Sequence, residues 1–328
     1  MAVKALGPAQ LEVVQAITRA LTEVDHGLLV GCSGGPDSLA LAAGAHEVAR
    51  RSGRPLTVVI IDHRLQDGSD RVAAGVHDQL LGAGLPAVEV IPVEVDPASG
   101  DGPEAAARTA RHRALQQAAD RLGATTILLG HTRDDQAETV LLGLARGSGT
   151  RSLAGMAPRS GRLVRPLLDL PRATTEQACA EAGLTPWRDP HNADPAYTRV
   201  RVRDRVLPIL ETELGPGIAA ALARTARLAR DDAELLDDLA ARAADELRTG
   251  DGGLDCAGTL AQPAALRSRV LRNWLREQGA REVSAERLAE VSRLVTDWHG
   301  QSGIDLPGVT VTRSEGHLIT CGRLGDRG

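Results

Sequence analysis

The apolar run Gly27-Leu28-Leu29-Val30 passes directly into Gly31-Cys32-Ser33-Gly34-Gly35-Pro36-Asp37-Ser38, followed by Leu39, Leu41, Ala42, Ala45 and Val48 at helical spacing. That order predicts a strand, a tight glycine turn and a helix. Pro36 suits the first helical position, where a missing N–H costs nothing. Gly34 and Gly35 let the backbone come close to a ligand. The unpaired N–H groups of the helix N-terminus would then face the turn, and such a cradle attracts phosphate or pyrophosphate. The spacing G-x-x-x-x-G-K-[ST] is absent, which excludes an ordinary P-loop kinase or GTPase. Small residues after a strand can also make a turn and nothing more.

The rest of the chain alternates in the same way. Strands are expected at 27–32, 56–62, 88–95, 125–130 and around 162–168, and helices at 9–23, 36–51, 69–83, 103–122, 134–146 and 172–183. The fold class is α/β, a doubly wound parallel sheet covered on both faces. Ligands of such sheets lie at the carboxyl ends of the strands, where both 31–38 and 130–138 fall. Gly215-Pro216-Gly217 breaks the pattern, so domains are expected at 1–212 and 213–328. The second should be mainly helical, with helices at roughly 218–248, 263–278 and 284–297 and a small hairpin between 303 and 321.

Composition narrows the class. The chain has 328 residues, 42% of them apolar, enough for two cores, yet it has no Phe, one Tyr and three Trp. Leu, Val, Ile and Ala must therefore fill the interior. The net charge of −5 gives no whole-molecule attraction to nucleic acid. Between 141 and 205, however, Arg outnumbers Asp plus Glu, and a local basic face binds phosphates even on an acidic molecule. A solvated, ion-paired surface is the plain alternative. Cys32, Cys179, Cys256 and Cys321 are scattered without a C-x-x-C pair, which fits reduced thiols and a cytoplasmic location. No leader pattern opens the chain and no apolar run reaches the ~18 residues of a membrane span.

The loop Ser33-Gly34-Gly35-Pro36-Asp37-Ser38 resembles the S-G-G-x-D-S loop of the PP-loop, or N-type, ATP pyrophosphatases. A second constellation follows the strand Thr126-Ile127-Leu128-Leu129-Gly130: His131-Thr132-Arg133-Asp134-Asp135-Gln136-Ala137-Glu138-Thr139. Asp135 and Glu138 are three apart and share a helix face. Thr132 and Asp135 also have the spacing of a capping box, and acids in a first turn are favoured by the helix dipole alone. H-x-x-D-D-Q-A-E-T resembles the signature of the tRNA(Ile)-lysidine synthetase family. Ala107-Arg108-Thr109-Ala110-Arg111-His112 is similar to that family's A-R-x-x-R-Y block, with His in place of Tyr. Arg146-Gly147-Ser148-Gly149 with Leu153-Ala154-Gly155-Met156, Arg165-Pro166-Leu167-Leu168, and Asp189-Pro190-His191-Asn192-Ala193-Asp194 with Arg199-Val200-Arg201-Val202-Arg203 follow in the family's order. Asp62-His63-Arg64-Leu65-Gln66 departs from its usual D/N-H-G-L-R. The likeness is dense from about residue 27 to 210 and weak in the tail, and the extra C-terminal domain of longer members is missing from the chain.

The resemblance implies a ligase forming C–N bonds. ATP would adenylate the C2 oxygen of the wobble cytidine in the CAU anticodon of tRNA(Ile), and the ε-amine of L-lysine would then displace AMP to give lysidine. Ser33, Gly34, Gly35, Pro36, Asp37, Ser38, Asp62 and His63 are the expected nucleotide contacts. Asp37 would hold Mg²⁺ or orient the loop, and Arg111 would touch phosphate or the adenylated base, with Arg108 a weaker candidate. A lysine ammonium with a pKa near 10.4 needs a proton acceptor, since its neutral form at pH 7 is uphill by roughly 4–5 kcal/mol. Asp135 and Glu138 suit that work as a pair. With few aromatics, arginine contacts to phosphate should dominate tRNA binding, from Arg146, Arg199, Arg201 and Arg203. The period-2 arginines suggest a strand and the resemblance a helix start. His131 and His63 are expected to be supporting residues, and a homodimer is a further expectation. A tRNA thiolase and a non-enzymatic nucleotide- or RNA-binding module are the alternatives.

Overall fold

Leu28, Leu29 and Val30 are fully apolar in sequence, the signature of a strand buried on both faces, and in a computed structural model they sit at the centre of a sheet. Residues 5–62, 64, 68–93, 103–147, 149–188 and 194–322 are described. Strand β1 (Leu28–Cys32) lies between β2 (Leu56–Asp62) and β4 (Thr126–Leu129), all parallel, with β3 (Val88–Pro92) outside β2. The far side ends in two short strands, β5 (Arg159–Ser160) and β6 (Leu163–Val164), in the order β3-β2-β1-β4-β6-β5. Only Leu163–Val164 of the expected strand at 162–168 pairs in this sheet, because the chain turns away at Arg165-Pro166.

Helices α1 (Pro8–Ala20), α2 (Pro36–Ser52) and α7 (Arg172–Glu181) share one core with the strands, centred on Ile17, Leu39, Leu41, Val58 and Leu167. The opposite face packs Leu29, Val59, Ile127 and Leu129 against Leu115, Ala118 and Ala119 of α4 (Pro103–Leu122). Small residues on α4 let it sit close to the strands, as expected where Phe is absent. Helices α3 (Ser69–Gly82), α5 (Arg133–Ala145) and α6 (Thr150–Leu153) complete this part. Thr198–Glu213 is one continuous helical stretch: α8 (Thr198–Arg201), a π-helical turn at Val202–Val206, then α9 (Leu207–Glu213). The period-2 arginines therefore lie on a helix, and the strand reading of them is corrected.

The chain forms two compact units, dividing between Ala229 and Arg230. That point lies within the long α10 (Ile218–Leu247). The second unit holds α11 (Cys256–Ala261), α12 (Ala264–Glu277) and α13 (Ala285–Thr296). Where a hairpin was expected it has an antiparallel sheet of four strands, β7 (Leu254–Asp255), β10 (His317–Gly322), β9 (Val309–Ser314) and β8 (Ile304–Leu306) in that order. Its core gathers Trp274, Val270, Leu271, Val291 and Leu294 with Val311 and Leu318. Among the described residues no single helix is long and apolar enough to cross a membrane.

Candidate active site

The loop after β1 is built around one hydroxyl. Ser38 Oγ accepts from the Ser33 N–H at 3.1 Å and donates to the Gly35 carbonyl at 3.0 Å, so the first turn of α2 folds back on the loop that precedes it. Gly34 has φ +80°, and a Cβ there would lie 2.6 Å from Val76 Cγ2, so only glycine fits. Gly35 caps α2 without a side-chain hydrogen bond and Pro36 follows, leaving the first-turn N–H groups open to a ligand. The Trp187 N–H donates to the Gly34 carbonyl at 2.9 Å, pinning the loop from outside.

β4 brings the second motif to the same place. A Cβ on Gly130 would sit 3.0 Å from the Asp37 carbonyl oxygen and 3.1 Å from Ser38 N, so the end of β4 presses on the start of α2. Thr132 then caps α5. Asp135 Oδ2 accepts from Thr132 N at 2.8 Å and from Thr132 Oγ1 at 3.0 Å, and the capping box foreseen from spacing is present. Capping uses only that oxygen. Oδ1 accepts from Arg172 Nη2 at 3.0 Å. Glu138, one turn on, is 0% exposed. Its Oε2 accepts from Arg199 Nε at 2.7 Å and its Oε1 from Arg203 Nε at 2.7 Å. Arg172 Nη2 lies 3.7 Å from the same carboxylate, while Arg172 Nε lies 3.5 Å from Asp37 Oδ2. One guanidinium therefore joins the loop acid to both acids of the second motif.

Electrostatics separate these carboxyls. Burial lifts Asp37 to about 6, with the neighbouring Asp135 adding to the rise, against the opposing pull of Thr175 and Arg172. Burial would raise Asp135 too, but Arg172, the Thr132 N–H and Arg199 overcome it and hold the group below its ordinary value. Asp134 serves the scaffold: its Oδ2 accepts from the Arg172 N–H at 2.8 Å.

Asp62 is buried at the end of β2, where Oδ1 accepts from the Arg64 N–H at 3.0 Å. His63 lies outside the described residues, as do Ser148 and 189–193. Arg146 is exposed at the C-terminal cap of α5. Arg201 is directed to the Pro195 and Ala196 carbonyls, both at 2.7 Å. Arg199 and Arg203 are instead turned inward onto Glu138. Arg111 is on α4, its Nε sealed from water without a partner. Arg172 and Thr175, which donates to Asp37, were not foreseen. A signal existed: Arg172 is the first residue of α7, where the helix dipole disfavours a cation unless acids face it.

Asp37 offers a hard carboxylate oxygen beside the loop. This suits a Mg²⁺ shared with substrate phosphates rather than a cage made by protein alone. Among the described residues no three His, Cys, Asp or Glu side chains converge on a metal position. A cleft of about 570 Å³ opens beside His26, Arg54, Pro55 and Gly123, at the amino ends of β1 and β2, the wrong edge of the sheet for this chemistry.

Both parts of the chain match known families. Residues 9–210 match the family model described as PP-loop domain, and residues 254–319 match that described as TilS substrate binding domain. The tRNA(Ile)-lysidine synthase of Leifsonia xyli is 53% identical over 295 residues, covering 89% of this chain and 88% of its own. That of Salinispora arenicola is 53% identical over 324 residues, covering 96% and 97%. Among solved structures, the U34-tRNA thiolase NcsA from Methanococcus maripaludis superposes with a TM-score of 0.53 at 19% identity, over 68% of this chain and 78% of that one, a likeness of fold. With a nucleotide loop, an acid pair joined to it and matches along nearly its whole length, the chain belongs to the tRNA(Ile)-lysidine synthase family.

Proposed function

We propose that this chain joins L-lysine to C2 of the wobble cytidine in the CAU anticodon of tRNA(Ile), consuming ATP and releasing AMP and pyrophosphate. One observation carries the reading: Asp135 and Glu138, buried and collecting three guanidiniums, meet the loop acid Asp37 through Arg172. Both carboxylates are already paired, so the lysine ammonium would enter by taking the place of one of these guanidiniums.

In the first step the cytidine O2 attacks the α-phosphate of ATP and pyrophosphate departs. Ser33, Gly34, Gly35, Pro36 and Ser38 form the cradle, whose backbone N–H groups face the charge developing on the leaving group. Mg²⁺ would enter with ATP on Asp37 and neutralise phosphate charge. In the second step the ε-amine bonds to C2, its proton passes to the Asp135–Glu138 pair, and AMP leaves with the oxygen it was attached to. Exposed Arg146 and half-buried Arg201, once it leaves the Pro195 and Ala196 carbonyls, supply phosphate contacts to the tRNA, while Arg199 and Arg203 orient Glu138. Residues 1–212 carry the chemistry and 213–328 hold tRNA, as a homodimer in the cytoplasm. A thiolase would need a pair of accessible sulfur-carrying cysteines or a cluster site, whereas Cys32, Cys179 and Cys256 are buried and Cys321 alone is exposed.

The deciding experiment measures pyrophosphate release from ATP with a CAU isoleucine transcript, with and without lysine, and with methionine tRNA as control. Asp135→Asn should keep tRNA binding and lose lysine-dependent turnover; unchanged turnover removes the assignment. Sedimentation of the free enzyme tests the dimer.

A further inference from the structure

The lysine ammonium can reach the acid pair only where one of its guanidiniums gives way. Three acids, Asp37, Asp135 and Glu138, face three guanidiniums, those of Arg172, Arg199 and Arg203. A further cation among them would be surplus, and like charges this close repel strongly where water is excluded. The three arginines are not equally held, and the difference says which one leaves.

Arg172 is fixed at both ends. Its side chain bridges Asp37 at 3.5 Å and Asp135 at 3.0 Å, and its backbone N–H donates to Asp134 at 2.8 Å. Arg199 has anchors besides the carboxylates: its Nη2 donates to the Asp135 carbonyl at 3.3 Å and to Thr139 Oγ1 at 3.4 Å. Arg203 has none. Its Nε donates to Glu138 Oε1 at 2.7 Å and its Nη2 to Glu138 Oε2 at 3.2 Å, and the same Nη2 lies 3.7 Å from Asp135 Oδ1. Among the described residues its side chain is bonded to the acid pair alone, and it is the most exposed of the three arginines. It stands where an ammonium using both carboxylates would have to stand. Arg203 also lies in the π-helical turn Val202–Val206, a rare geometry found mostly at functional sites. Val202 and Leu207, five apart, are buried at the ends of this turn, while Val206 is 40% exposed. In an ordinary α turn Val206, four after Val202, would share that buried face, so the turn has a second register and Arg203 can move without unfolding α8.

We propose that Arg203 is an intramolecular occupant of the lysine site: its guanidinium holds the place of the substrate ε-ammonium on Glu138, and lysine binds by displacing it. Arg172 and Arg199 stay and keep the acid pair in position. One cation replaces another, so the charge of the cluster is the same before and after the exchange. The apparent affinity for lysine is reduced by the fraction of molecules in which Arg203 still sits on the acids. Arg203 is thus a positioning residue that sets how readily lysine enters, and it takes no part in bond making. The inference rests on the function proposed above, which supplies the lysine, but its test is binding and needs no turnover.

The test uses the full-length protein free of tRNA. Calorimetry measures L-lysine binding to wild type, Arg203→Gln and Arg199→Gln at fixed salt. Arg203→Gln should bind lysine about tenfold tighter than wild type, or more, with no such gain in Arg199→Gln. No gain in Arg203→Gln overturns the proposal. So does an equal gain in both variants, which the loss of any one positive charge would produce. Arg203→Ala gives a second readout. Millimolar guanidinium chloride should refill its vacancy and compete with lysine there, while leaving lysine binding by wild type unchanged; guanidinium without effect on the variant overturns the proposal as well. Should the variants fail to fold, the ¹⁵N shift of Arg203 Nε in the wild type decides. It should move toward that of a solvated guanidinium as lysine saturates the protein, and an unmoved shift overturns the assignment. Lysine-dependent turnover of the CAU transcript by the same wild-type preparation reports separately on the lysidine reading, so failure of one is not mistaken for failure of the other.

Discussion

At the scale of single residues, Asp37 shows how a site is assembled at the expense of stability. Its folded pKa is raised from 3.8 to about 6, with burial the main cause. A raised acid pKa means the folded state binds the extra proton between those values, so this group's contribution to stability falls as pH climbs through that window and stays low above it. Asp37→Asn should therefore unfold at a higher denaturant concentration than wild type at pH 8, by about 1–3 kcal/mol, and show little difference at pH 4. A wild-type advantage at pH 8 would contradict the burial argument. Asp135 was legible because its motif is local; Arg172 was missed because its partners Asp37, Asp135 and Glu138 come from two other helices. A cation at a helix start was the one hint that pattern could give.

At the scale of elements, the helical stretch from Thr198 sorts its arginines by face. Arg199 and Arg203 are four apart and both reach Glu138, while Arg201 points to the chain that precedes the helix. Arg201→Ala should lower the slope of log affinity for tRNA against log salt by about one. Arg203→Gln should leave that slope alone and act on the Michaelis constant for lysine. Filter binding at several salt concentrations, with steady-state kinetics, separates the two. Gly130 is the second case: an Ala there places its Cβ 3.0 Å from the Asp37 carbonyl. Gly130→Ala should displace the first turn of α2 and weaken ATP binding at least tenfold, measured by calorimetry; unchanged affinity would mean that the loop yields freely. The central strands of the parallel sheet were legible almost to the residue because runs such as Val58-Val59-Ile60-Ile61 are apolar throughout, whereas the strand at 162–168 was read too long. The four-stranded sheet of the second unit was only half seen, since Leu254–Asp255 is too short to show a period and Ile304–Leu306 hardly longer.

At the scale of the whole molecule, two cores without Phe depend on few large side chains. Trp274 is 0% exposed, and its Nε1 donates to the Gly252 carbonyl at 3.0 Å. Trp274→Ala should cost the second unit about 3–5 kcal/mol. The first unit's transition should hold, so calorimetry would resolve two steps where the wild type shows closer ones. A single transition lowered as one would argue that the units unfold together.

Trp187 donates its amide to the Gly34 carbonyl, and the chain contains only two other tryptophans. Trp274 is sealed in the other core, and Trp298 stacks under the Arg313 guanidinium. The Trp187 amide rests on the cradle itself, so its indole is placed as a built-in optical gauge, and nucleotide arrival should change its emission with no dye attached.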